Sequence, residues 1–133
     1  MTTLPADFTH LHVHSHNSLL GGTTAPAALV ARARADGLTS LALADSNALF
    51  GAVAFARACR AAGIRPITAM TASVGPPPED MPPDRSRALG RLALLATGPE
   101  GYRSLCRLSS LYQSDPDRAR RARTGFTWDE LRR

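Results

Sequence analysis

Lysine is missing from this 133-residue chain, and all sixteen basic positions are arginine. Arginine suits bidentate phosphate contacts, but an Ala- and Arg-rich chain is also what a GC-rich genome encodes, so this bias points only weakly to nucleic acid. Aromatics make up 5% of the residues, which leaves the core to be built from Ala, Leu, Val and Ile. Cysteine occurs twice, as Cys59 and Cys106, in apolar helical surroundings with no CxxC spacing. That excludes a disulfide framework or a thiolate zinc site, and both are expected to be buried reduced thiols. No apolar run approaches the roughly 20 residues needed to span a bilayer. The start, MTTLPADF, lacks the basic beginning and apolar block of a secretory signal. The expected setting is the cytoplasm, with no membrane partner.

All four histidines fall in one stretch, residues 8 to 22, FTHLHVHSHNSLLGG. Read as a strand, it puts His10, His12 and His14 on one face and Leu11 and Val13 on the other. Neutral imidazoles at a strand end make a natural start for a metal site. The alternative is histidines satisfied by backbone and water, because an HxH alone is a weak signal.

The hydrophobic pattern alternates strand with helix. Strands are expected near 8–13, 39–44, 65–73 and 91–96, and helices near 25–36, 48–62 and 99–111. Pro26 sits in the first turn of its helix behind Thr23 or Thr24 as cap, and Gly37 and Gly63 stop the first two helices. Phe50, Val53 and Ala54 are expected on the packed face of the second helix, with Asn47 as its cap. Thr97 and Glu100 read as a capping box, as do Thr127 and Glu130 around Trp128. This order implies βαβ units and a parallel sheet. Residues 75–88 hold five of the ten prolines and are expected to be loop. The expected division is an α/β domain over 1–112, then a basic tail over 113–133 that ends in the start of a truncated helix.

Charge is unevenly spread. Residues 85–133 carry eleven arginines against five acids, whereas residues 1–84 carry five against six. Arg118, Arg120, Arg121 and Arg123, in the polar segment 114–124 that is expected to be mobile, are the candidate nucleic-acid contacts. With no aromatic interleaved for stacking, a solvated face is the competing reading.

Parallel-strand folds bind ligands at the carboxyl ends of the strands. Those ends carry His12 and His14, then Asp45 and Ser46, Thr71, and Thr97. Asp45 is placed to hold a histidine tautomer or to bind metal itself. His12, His14 and Asp45 are therefore the candidate ligands of one divalent ion, zinc or manganese, completed by water.

Four segments in order, HLHVHS, LALADSNALFGAV, AGIRPITA and LALLATGPEGYRSLCRLSS, resemble the amino-terminal PHP (polymerase and histidinol phosphatase) domain of bacterial DNA polymerase III alpha subunits, nearest the error-prone type. The resemblance runs from Phe8 to about Tyr112. It implies a distorted barrel of seven β/α units, of which this chain would be roughly the first half. It also implies a phosphoesterase centre of up to three metals, in some polymerases a proofreading 3′–5′ exonuclease. The family's first histidine pair matches His12 and His14. Its acidic residue in the LLDG turn is Gly21 here, the histidine of TDH is Ser46 after a retained Asp45, the glutamate after the IKPI strand is Thr71, and a histidine before the LLA strand is Arg91. Each departure removes a ligand. The resemblance thus implies a catalytically degraded scaffold in DNA replication or repair synthesis, with polymerase palm and thumb regions or other replication subunits as partners. A small metal-dependent phosphoesterase and a DNA-binding accessory fragment are the rival expectations.

Overall fold

A computed structural model describes residues 8–77 and 89–133. The elements are α1 (Pro26–Ala35), β1 (Ser40–Ser46), α2 (Ala52–Ala62), β2 (Arg65–Val74), β3 (Gly90–Leu95), α3 (Pro99–Gln113), α4 (Arg118–Thr124) and α5 (Trp128–Arg132). The α/β class holds, and the three longest expected helices lie within four residues of their expected bounds.

Two of the four expected strands behave otherwise. Residues 8–13 join no ladder. His10 O accepts from Ala42 N and Val13 O from Ala44 N, so three residues on one side advance against two on the other. One extra residue breaks the pairing and the alternation with it. Leu11, expected on the face opposite the histidines, is 47% exposed. The last strand, β3, pairs antiparallel with β2, in register from Val74 with Gly90 to Ala69 with Leu95. A parallel return requires a crossover, normally a helix, and no helix fits the proline-rich connection. The sheet therefore runs β1-β2-β3, with only β1 and β2 parallel. Residues 75–77 lack regular structure as expected; residues 78–88 lie outside the described residues.

Two apolar clusters hold the sheet to its helices. One joins Leu41 and Leu43 of β1 to Val30 and Ala33 of α1 and Phe55 and Cys59 of α2. Phe55 is fully buried, whereas Phe50 and Val53 are 67% and 57% exposed. The packed face of α2 is thus Ala52, Phe55 and Cys59, and Phe50 lies ahead of the helix. Burial pushes the Cys59 thiol up to about 11, and both cysteines are unpaired. The other cluster joins Met70, Ala72 and Val74 of β2 to Leu105 and Leu108 of α3 and to Phe126.

Phe126 anchors the end of the tail against the sheet. It is fully buried, and its N–H donates to Ser73 O at 2.7 Å. Gly125 allows this approach: it sits at φ 63, and a Cβ there would lie 2.4 Å from Ser73 O. Residues 118–124 are helical, capped by Asp117 accepting from Arg120 N. The Thr127–Glu130 capping box forms as expected. The Thr97–Glu100 box does not, since Gly98 occupies the cap position, and neither Thr23 nor Thr24 caps α1, where Ala25 takes that position. Among the described residues no helix is long and apolar enough to cross a membrane.

Candidate functional site

Asp45 ends the buried run of β1 and is 1% exposed. A carboxylate at that depth must be hydrogen-bonded, and the serine-rich turn after the histidines supplies the donors. Oδ1 accepts from Ser15 N and Ser18 Oγ, and Oδ2 from Ser15 Oγ, each at 2.7 Å. Ser15 Oγ in turn accepts from Asn17 N and Nδ2. Gly51 closes the back of this turn; a Cβ there would meet Asn17 Nδ2 at 2.7 Å and Asp45 Oδ2 at 3.1 Å.

The same hydroxyls decide the histidine tautomers. A hydroxyl has one proton to give. Thr71 Oγ1 gives its proton to Ala44 O at 2.8 Å, so in its 2.9 Å contact with His12 Nε2 the imidazole must donate. Ser18 Oγ gives its proton to Asp45 and accepts from Ser46 N, so in its 3.1 Å contact with His14 Nδ1 that imidazole also donates. Neutral His12 therefore carries its proton on Nε2 and His14 on Nδ1. The rings sit edge to face with centroids 4.9 Å apart. Partial burial and neighbouring His12 hold His14 below the usual histidine value, against an upward pull from Asp45, with Arg91 adding to the depression.

This donor set does not fit a divalent metal cluster. Of the three candidate ligands, Asp45 already accepts three hydrogen bonds from the turn, and His12 turns a protonated Nε2 toward Thr71 Oγ1. Thr71 and Ser46 offer no charge, and Arg91 adds charge of the wrong sign. Among the described residues no group of three His, Cys, Asp or Glu side chains is placed to hold a metal ion. His10 lies outside the constellation, edge-on to Phe8, and His16 is exposed. Asn47 does not cap α2; at φ 54 it donates to Ser73 Oγ and accepts from Ser73 N, tying β1 to β2.

The four tail arginines do not share a face. Arg121 is 4% exposed and grips Glu130 through both terminal nitrogens at 2.9 Å. It lies 5.6 Å from the Tyr112 ring centroid and 5.3 Å from that of Phe126. Its Nε comes within 3.4 Å of Asp115 Oδ2 without a hydrogen bond of good geometry. Arg121 is thereby corrected from a nucleic-acid contact to a core residue: its fork is spent on Glu130. Arg120 pairs with Asp115 at 2.6 Å, Arg118 bonds Gln113 O, and Arg123 is exposed. Sequence reasoning missed Ser15, Ser18 and Thr71 as anchors. The available signal was a buried-type aspartate beside a serine-rich turn, since such a carboxylate has to find donors.

The family model described as "PHP domain" matches residues 10–133. DNA polymerase III subunit alpha of Bacillus subtilis is 42% identical over 80% of the chain. An error-prone DNA polymerase of Symbiobacterium thermophilum is 41% identical over 76%. The chain spans about a tenth of the length of these curated relatives, 9% and 8% respectively. Among solved structures, an amidohydrolase from Chromobacterium violaceum, with bound sulfate and no metal, superposes with a TM-score of 0.61 at 26% identity, over 85% of this chain and 36% of that one. A putative metal-dependent phosphoesterase from Bifidobacterium adolescentis superposes at 0.50 and 20% identity, over 96% of this chain and 44% of that one.

Proposed function

The chain belongs to the PHP domain family, and from that premise we propose that it is a non-catalytic structural module on the amino-terminal side of a DNA polymerase III alpha-type protein, acting in replication or repair synthesis. The observation that carries the non-catalytic part is the state of Asp45. Phosphoester hydrolysis of the kind this family implies needs metal ions to polarise the phosphoryl group and generate hydroxide. Here the retained carboxylate already accepts three hydrogen bonds from neutral donors, so ligating a metal would compete with the turn that holds the histidines. The network ties residues 15–18 to the carboxyl end of β1, and His12 reaches Thr71 of β2.

The error-prone type is our finer reading, since relatives of both polymerase types are similarly identical over this stretch. Polymerase palm and thumb regions, or other replication subunits, are the proposed partners, in the cytoplasm. A second reading, a one-metal phosphoesterase, rests on the lone pairs left on His12 Nδ1 and His14 Nε2 and on the phosphoesterase named among the structural relatives. Purified protein assayed with a phosphodiester substrate in manganese or zinc decides between them. The scaffold reading expects no turnover above background and no bound metal by elemental analysis. Turnover that disappears in His12→Ala would establish the enzyme.

A further inference from the structure

On the sheet side opposite Thr71, α2 and α3 leave a groove of about 480 Å³ open to solvent, lined by Val53, Ala56, Arg57, Arg60, Thr68 and Tyr102 among others. Thr68 and Thr71 lie three apart in one strand, so they project to opposite faces. None of His12, His14, Asp45 and Thr71 lines the groove. Arg57 and Arg60 stand about one helical turn apart on α2 and face the same opening. Among the described residues neither has a carboxylate within ion-pair distance, and no acidic residue lines the groove. Across from them Tyr102 is 41% exposed and Val53 57%.

We propose that this groove, between Arg57 and Arg60 on one wall and Tyr102 on the other, binds single-stranded nucleic acid. Two guanidiniums that pair with no described carboxylate suit consecutive phosphates, and an exposed tyrosine face stacks on a base without regard to sequence. Thr68 adds a hydroxyl for a phosphate or sugar oxygen, and Val53 offers apolar contact. The arginine run at 118–123 has no such arrangement: Arg121 is buried and Arg120 is already paired. The basic surface available to a strand is on α2, where an aromatic stands opposite the charge. An acidic protein segment would use the two arginines, but it would leave the aromatic face without a specific task.

The test is fluorescence anisotropy of the full chain with a labelled oligothymidylate of about sixteen nucleotides, titrated at several salt concentrations. Arg57→Ala/Arg60→Ala should weaken binding at least tenfold and reduce the slope of log affinity against log salt by about 1.4, two single-strand phosphate contacts. Tyr102→Ala should cost roughly tenfold, while Tyr102→Phe, which keeps the ring, should bind like the parent. Circular dichroism melts would confirm that each variant is folded. Binding that survives the double α2 variant but is lost in Arg118→Ala/Arg123→Ala would overturn the proposal. So would poly-glutamate binding that depends on Arg57 and Arg60 with no oligothymidylate binding, or an absence of oligothymidylate binding at low salt by the folded parent. These outcomes are independent of whether the histidine site hydrolyses phosphodiesters.

Discussion

Asp45 and Arg121 are charged side chains buried to similar depth, 1% and 4% exposed, and their partners are of opposite kinds. Asp45 meets only neutral donors, two serine hydroxyls and a backbone amide. Arg121 meets carboxylates, gripping Glu130 in a two-pronged pair and lying near Asp115, with aromatic rings close by. Each sits in a motif whose pattern suggests another job, metal ligation for one and phosphate contact for the other. Burial turned both inward. Asp45 fastens a loop to the strand ends, and Arg121 fastens α4 to α5 over Phe126. A charged residue in a functional-looking pattern acts outward only if its own chain has left it free.

The largest effect should come from Asp45→Ala, which strands three buried donors. At about 1–3 kcal/mol for each unsatisfied group, with partial relief from water, a loss of roughly 4 kcal/mol is expected in chemical denaturation. A loss below about 1 kcal/mol would show that the turn is not held by this carboxylate. Next is Arg121→Ala, expected to cost about 3 kcal/mol, because it leaves the half-buried Glu130 without its counter-charge, while Asp115 keeps Arg120. Burial pushes the Glu130 carboxyl up, but hydrogen bonds from Arg121 and Thr127 outweigh it and leave it below its ordinary value of 4.5. A carboxylate depressed in the folded state contributes stability that is present above its unfolded value and is lost as pH falls through the folded one. Unfolding free energy should therefore drop on acidification below about 4.5, and the part of that drop owed to Glu130 should shrink in Arg121→Ala, which leaves only the Thr127 bonds. Parallel acid titrations of the two proteins would contradict the pairing.

A smaller effect attaches to His14. Its value lies below the ordinary 6.5, so the unfolded chain binds the proton more readily than the folded one. Stability should be greatest above pH 6.5 and decline as pH falls from there through the folded value. His14→Gln should flatten that part of the melting-temperature profile, and an equally steep profile in the variant would remove His14 as the cause. The smallest effect is expected from Arg118→Ala and Arg123→Ala, exposed positions whose melting temperatures should match the parent's. A clear loss there would mean that the tail leans on more than Arg121.

The sequence made much of this legible. Apolar periodicity located β1, β2 and α3, Gly63 located the end of α2, and the Thr127–Glu130 pair located the start of α5, because these depend on neighbours in the chain. The direction of β3 was implicit in the proline-rich connection, which forbids the crossover helix that a parallel strand would need. The extra residue between His10 and Val13 was not legible, since it exists only relative to Ala42 and Ala44. Nor was the burial of Arg121, which depends on Gly125 bringing Phe126 against Ser73. His12 and Thr71, grouped from the sequence, do come into contact, although the histidines stand on no strand. What spacing could not tell was where the protons of Ser18 and Thr71 go, and those protons decide what the imidazoles can bind.

Proton placement is also the most direct test of the scaffold account. Long-range proton–nitrogen correlation spectra of the histidine rings at pH 7.5 should show His12 protonated on Nε2 and His14 on Nδ1. Addition of millimolar zinc should leave both patterns unchanged. Loss of the His12 Nε2 proton, with both imidazoles shifting to metal-bound nitrogen frequencies as zinc is added, would contradict the account and return this site to metal chemistry.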